Sequence, residues 1–209
     1  MGTDIYGGIE VRDPCADEDW YEWPAWQRAM DLSPLYFGRD YASFASLFGV
    51  RDDIGWDPVA ARRGLPPDVS SEMKEEFDKA VGTDPVVHSP TWVTWGELDR
   101  ADLDAAPPGV RGVLLLRHDR SPALEIRYWI TDHWPSGAVE KLGAPPSPRS
   151  PADTPFGEWR LGSTRLTYES FTRRDAVGPG TGWEHVFAVM KALAGRFGDE
   201  GVRLVVYFD

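Results

Sequence analysis

Residues 181–209, TGWEHVFAVMKALAGRFGDEGVRLVVYFD, decide the fold class. Trp183, Val186, Phe187, Met190, Leu193, Ala194 and Phe197 recur at three- and four-residue intervals, so they share one stripe of a helix. Thr181-Gly182-Trp183-Glu184 has the spacing of a capping box at its start, and Gly198 and Gly201 close it. Residues 202–209 are then almost wholly apolar, which predicts a strand buried on both faces and central in its sheet. A helix feeding an interior strand, beside hairpins, gives an α+β expectation: a mixed or antiparallel sheet packed by several short helices and by a long C-terminal helix that leads into a central strand. No internal repeat divides the pattern, and one domain over 1–209 is expected.

Working back from that unit, GEWRL and STRLTYESF (157–171) read as strands around a turn at Gly162. VRGVLLLRH (110–118) and ALEIRYWIT (123–131), joined by DRSP, read as a hairpin. The stretch 144–155 has five prolines in twelve residues and is excluded from a sheet interior. In the first half, residues 4–12 alternate, with Ile5, Gly7, Ile9 and Val11 on one face of a strand. An acidic aromatic stretch follows at 13–31, holding Trp20, Tyr21, Trp23 and Trp26, with Pro24 suited to a helix start. Helices are expected over 39–48, stopped by Gly49, and over 70–81, with a charged loop between them. Thr94-Trp95-Gly96-Glu97 is another capping box, opening a short helix to about Leu103 that the Ala-Ala-Pro-Pro-Gly run at 105–109 ends.

The chain has 209 residues, 34 acidic and 22 basic side chains and a formal charge of −12. Residues 1–104 hold 22 acidic and 9 basic groups and residues 105–209 hold 12 and 13, so the excess lies in the first half. That half repels polyphosphates, and no nucleic-acid partner is expected. A hydrophobic content of 42% with ten Trp is enough for a sizeable core. No apolar run approaches the ~20 residues of a membrane helix, and the first residues lack signal-peptide character, so no membrane partner and a cytosolic location are expected. The single Cys15 agrees with a reducing compartment.

Four groups of residues raise the question of chemistry. Gly178-Pro179-Gly180-Thr181-Gly182 before a helix resembles a phosphate cradle but lacks a P-loop Lys, and reads better as a connection with an N-cap. His118-Asp119 and Asp132-His133 could meet across the hairpin, though strand alternation points at most one of each pair into a shared site; His185 is expected at the surface. His88-Ser89 reads as a loop, either packed by His88 and Trp92 or forming a polar site that uses His88. Cys15 sits among carboxylates, which disfavour the thiolate a nucleophile needs. Arg39, Arg62 and Arg63 are among the few cations of the acidic half and could pair with carboxylates or read an anion. No metal and no cofactor is expected.

MGTDIYGGIEVR at the start, RDYASFASLFGVRD at 39–52, RRGLPPDVS at 62–70, HSPTWVTWGEL at 88–98 and the terminal VRLVVYFD together resemble a group of uncharacterised proteins of actinobacteria and bacteriophages. Those open with MG-x-DIH and carry RNY-x-LF, PRGLP-x-DVS and HS-x-SW-x-T segments. The resemblance covers both ends and much of residues 1–100, and it implies kinship without an activity. Tyr6 stands where that group has His and Asp40 where it has Asn, which argues against a catalytic metal at position 6. The matching polar residues are Asp4, Arg39, Tyr41, Arg63, Asp68, Ser70, His88, Ser89 and Glu97.

From these, Asp4, Tyr6, Arg39, Tyr41, Arg63, Ser70, His88 and Ser89 are the candidate ligand-binding residues, with His88 and Glu97 the candidates for catalysis. The expectation is a cytosolic binding or interaction protein, of an inhibitor, immunity or ligand-sequestering kind in phage and host conflict. Its partner would be a basic protein or a small polar ligand, because acidic charge speeds encounter and Trp side chains supply anchors. The alternative is an enzyme, a hydrolase or transferase of a small polar or phosphorylated metabolite, with His88 as acid or base and Arg39 or Arg63 holding the anion.

Overall fold

The computed structural model describes residues 2–108, 110, 112–128, 134–142 and 155–209. Two antiparallel four-stranded sheets with helices make an α+β fold, 30% helical and 26% strand. The chain divides into two compact units, one comprising residues up to Asp52 with Pro58–Asp102 and Asp175–Asp209, the other Asp53–Asp57 with Leu103–Arg174.

The first unit is built on β1 (Ile5–Arg12), β2 (Trp26–Asp31), β3 (His88–Thr94) and β8 (Val202–Phe208), in the order β2-β1-β8-β3. β8 is central and every residue in it is buried, as its unbroken apolar run demands. Ile5, Gly7, Ile9 and Val11 stand opposite Phe208, Val206, Leu204 and Val202. This face packs on α1 (Tyr41–Phe48) and α6 (Trp183–Phe197), where Phe208 contacts Phe44 and Phe48 at ring centroids 5.3 and 5.9 Å, and Trp183 stacks on Tyr36 at 4.4 Å. Gly7 has φ +139°, and a Cβ there would sit 2.0 Å from the Val205 carbonyl oxygen, so the strands close only because position 7 has no side chain.

The second face of the sheet is covered as well, by Met73 and Phe77 of α2 (Ser71–Thr83) over Val205 and Tyr207. Alternation predicted a half-buried β1, yet Glu10 is fully buried. The reason is Arg203, its cross-strand partner on β8 and itself 2% exposed. Arg203 donates from Nε to Glu10 Oε2 at 2.8 Å, from Nη1 to Asp68 Oδ1 at 2.7 Å and from Nη2 to the Asp68 carbonyl at 3.0 Å. Its guanidinium lies 3.7 Å from the centre of the Trp26 ring, whose Nε1 donates to Asp68 Oδ2 at 2.8 Å. The remaining Glu10 oxygen accepts the Ser70 N–H at 2.9 Å, so both charges are bonded, as burial of an ion requires.

Helix boundaries follow their caps. Asp40 accepts the Ala42 N–H at the head of α1 and Gly49, at φ +67°, closes it. Ser70 caps α2, and the capping box at Thr94 and Glu97 opens α3 (Trp95–Asp99), which ends before Leu103. The second predicted capping box does not form: α6 starts at Trp183 with Gly182 as N-cap, which makes Glu184 the second helical residue instead of the third. Its carboxylate takes the Gly180 and Gly182 N–H groups at 3.0 and 2.7 Å. Trp26–Asp31, at the end of the aromatic stretch, is an edge strand that the sequence pattern did not indicate. One other expectation is corrected: His88 and Ser89 belong to β3 instead of a loop, in a strand whose Val93 pairs with Leu204 on the buried sheet face.

The second unit holds β4 (Val113–His118), β5 (Ser121–Tyr128), β6 (Gly157–Leu161) and β7 (Thr164–Glu169), in the order β5-β4-β7-β6, with α4 (Ser136–Leu142). Both predicted hairpins are present, the second around Gly162 at φ +59°. Leu114, Leu116, Leu166 and Tyr168 pack against Trp134 and Ala138. α5 (Arg173–Val177), which the sequence pattern did not suggest, returns the chain to the first unit. The proline-rich stretch 144–154, the end of the predicted strand 123–131 and His133 lie outside the described residues.

Candidate functional site

At one end of the main sheet, Ile5 of β1 and His88 of β3 both pair with Phe208. A cleft of about 440 Å³ opens there, lined by Gly2, Asp4, Arg51, Asp84, Val86, His88 and Asp209. Asp4 accepts two bonds from Arg39, Nε at 2.7 Å and Nη2 at 2.5 Å, which hold its carboxyl below the usual carboxylate range. Tyr6 stacks on Tyr207 at 5.4 Å and donates to Asp209 Oδ2 at 2.8 Å. The Tyr41 hydroxyl accepts the Thr3 N–H at 3.1 Å, and Arg51 donates from Nε to Thr3 Oγ1 at 2.7 Å while lying 6.0 Å from the Tyr41 ring centre. His88 stacks on Phe208 at 6.2 Å, and its Nδ1 is 2.8 Å from Ser89 Oγ. Ser89 has φ +52° at the irregularity where β3 slips register against β8, a conformation that a non-glycine residue adopts only when its surroundings impose it.

The Asp209 hydrogen bond, then burial, pushes the Tyr6 phenol up to about 12. A group whose folded pKa is raised supports the fold below its unfolded pKa, about 10 for tyrosine, and loses that support as pH rises through the folded value. Thermal unfolding followed from pH 9 to 12 is therefore expected to fall along a limb that Tyr6→Phe makes shallower. An unchanged limb would contradict the assignment.

The sequence-derived candidates divide into three places. Asp4, Tyr6, Arg39, Tyr41, His88 and Ser89 gather around the cleft, with Asp4 and His88 in its lining. Arg63 lies elsewhere, donating from Nη1 and Nη2 to Glu97 at 2.9 and 2.7 Å, to the Val59 and Trp92 carbonyls at 3.2 Å each, and covering the Trp92 ring at 5.1 Å. Burial raises the Glu97 pKa, but Arg63 and the Thr94 cap outweigh it and the net shift is downward. Ser70 and Asp68 belong to the buried Arg203 cluster. For Asp68, too, burial acts upward and the Arg203 bonds prevail. Arg39 and Arg63 thus each hold a carboxylate. The cleft's own cation is Arg51, which sequence reasoning passed over together with Asp84 and Asp209 because only the fold brings the three together.

The remaining motifs are accounted for locally. The Gly180 and Gly182 N–H groups donate to the protein's own anion, Glu184, whose pKa is lowered by its own backbone N–H first and then by these two. His118 Nδ1 is 2.8 Å from Thr164 Oγ1, and Asp119 pairs with Arg160. Among the described residues no group of three His, Cys, Asp or Glu side chains could hold a metal ion. His185 is exposed, and Cys15 is a half-buried free thiol.

A second surface is the loop 13–25 that joins β1 to β2. Asp13 N–H donates to the Ala25 carbonyl at 2.8 Å, prolonging the ladder past Arg12 and Trp26 and closing the loop at its base. Successive turns bond Ala16 to Asp13, Glu18 to Cys15 and Tyr21 to Glu18, and Arg12 holds Asp17 by two hydrogen bonds, 3.0 and 2.5 Å. The loop is thereby internally tied, and it presents Trp20 and Trp23 at 61% and 63% exposure. Tyr21 stands between them, edge to face, at 6.2 and 5.5 Å. The loop carries Asp13, Asp17, Glu18, Asp19 and Glu22 and no cation. At its base a groove of about 420 Å³ is lined in part by Arg12, Asp13, Trp26, Asp68 and Glu200. Trp26 is core, whereas Trp20 and Trp23 are surface, so the aromatic stretch serves both purposes.

No protein-family profile, curated protein or solved structure matches the chain. No helix among the described residues is long and apolar enough to cross a membrane.

Proposed function

We propose that the chain is a protein-binding module that captures a basic partner on the loop between β1 and β2. The observation that carries this reading is the pair Trp20 and Trp23, large aromatic side chains held out in solvent by a tied loop whose every charge is negative. Exposed aromatics at this density are costly in water and are the residues that dominate interface energetics once covered. The surrounding carboxylates attract a cationic surface at long range and favour Lys or Arg at the rim. The enzymatic alternative needs Arg39 or Arg63 for an anion, and both are committed, to Asp4 and Glu97 respectively.

The test uses protamine, an arginine-rich protein, as a basic probe in calorimetric titrations. Trp20→Ala with Trp23→Ala is expected to weaken binding by about 30-fold or more, the scale of a hot-spot loss. The double variant keeps the net charge of −12, so equal affinity would mean bulk attraction alone and would sink the proposal, as would no binding by the wild type.

A further inference from the structure

We infer that the cleft at the His88 end of the main sheet is a binding site for a small zwitterion carrying one carboxylate and one ammonium group, the chemistry of a free α-amino acid. The inference is independent of the aromatic loop, which lies at the other end of β1. Its basis is which polar atoms in the cleft are already spent and which are not.

Arg51 uses Nε on Thr3 and rests near the Tyr41 ring, while among the described residues its two terminal amino groups make no hydrogen bond and no ion pair. A guanidinium held by its stem, with its fork open, is matched to a carboxylate. The Arg51 backbone is also at φ +56°, a left-handed conformation that costs a non-glycine residue free energy and is found where side chains are aimed at ligands. Asp4 is neutralised by Arg39. Asp84 accepts the Val86 N–H with Oδ1 at 3.0 Å, and its second oxygen has no partner among the described residues. Asp209 accepts one bond on each oxygen, from the Asp4 N–H and from Tyr6, leaving further lone pairs available. His88 turns Nδ1 to Ser89, which leaves Nε2.

The free inventory is therefore one cationic fork, two carboxylates and one imidazole nitrogen. A simple anion would meet the field of Asp84 and Asp209, and a simple cation that of Arg51. A zwitterion places each charge against its complement. A cleft of about 440 Å³ accommodates a molecule of amino-acid size, lying within the usual ligand-site range of roughly 300 to 1,000 Å³.

The experiment is a thermal-shift and calorimetric titration of the full chain with each of the twenty free L-α-amino acids. A binding amino acid, present at about ten times its Kd, is expected to raise Tm by about 3 to 6 °C. Its carboxamide and its N-acetyl derivative are each expected to bind at least about tenfold more weakly, as are the Arg51→Gln and Asp84→Asn variants. Both substituted residues lie at the surface, and the variants' own unfolding curves report whether they fold; should one fail to fold, the other variant and the two blocked ligands still decide. No shift with any amino acid at about 10 mM overturns the inference. So does a carboxamide that binds as well as the parent, which would mean a cation site, or an N-acetyl derivative that does, which would mean an anion site.

Discussion

Arg203→Met is expected to lower stability by about 3 to 5 kcal/mol, the usual cost of removing one partner from a buried ion pair. For a chain of this size that is a fall in Tm of roughly 6 to 20 °C. The loss comes from what is left behind. Glu10 is fully buried, and without Arg203 its only remaining bond is the Ser70 N–H. Urea unfolding measures the deficit. Adding Glu10→Gln should recover part of the loss, a coupling that the double-mutant cycle reads directly. A deficit below about 1 kcal/mol would show that the pair is not the buried unit described.

Gly7→Ala is expected to be as severe, on the order of 4 kcal/mol or more, where single substitutions become exceptional. Two terms combine. The φ of +139° is strained for any L side chain, and the added methyl carbon would stand 2.0 Å from a backbone oxygen of the central strand, which no rotamer change relieves. β1 would have to move off β8, opening the ladder from Ile5–Phe208 to Val11–Val202. Gly162, also at positive φ but with open space around its missing Cβ, supplies the comparison: Gly162→Ala bears the conformational strain alone and should cost about 1 to 2 kcal/mol. Thermal unfolding of the two variants side by side separates strain from collision. Equal losses would refute the close approach at position 7.

Much of the fold was legible because it rests on local periodicity. The α6 stripe, the unbroken apolar run of β8, the alternation of β1 and the α1 stop at Gly49 each state their own structure. What was illegible depends on distant partners. Glu10 reads as a surface residue of an alternating strand, and only Arg203, 193 positions away, makes it a core residue. His88 reads as loop because Ser89 and Pro90 follow it, and the pairing of His88 with Phe208 is invisible locally. The same limit governs the cleft. Asp4 and His88 were identifiable by type, but Arg51, Asp84 and Asp209 became neighbours only through the sheet. Arg39 and Arg63 show the converse: few cations in an acidic half stand out, yet the surplus of carboxylates that makes them conspicuous also supplies their partners.

The pairing of β1 with β8 also sets the order in which the molecule can assemble. Contacts between neighbouring segments, such as the β1–β2 hairpin and the β4–β5 and β6–β7 hairpins of the second unit, close short loops and are cheap to form early. The centre of the main sheet cannot, because its two strands are separated by nearly the whole chain, and long-range antiparallel pairing is the slow part of folding. Until β8 arrives, the edges of β1 and β3 that it pairs with stand open, and the aromatic loop sits on a two-stranded ribbon with no further strand beside it. Presentation of that loop is thereby tied to completion of the sheet, so a chain halted short of β8 carries the Trp20 and Trp23 side chains without the platform that presents them.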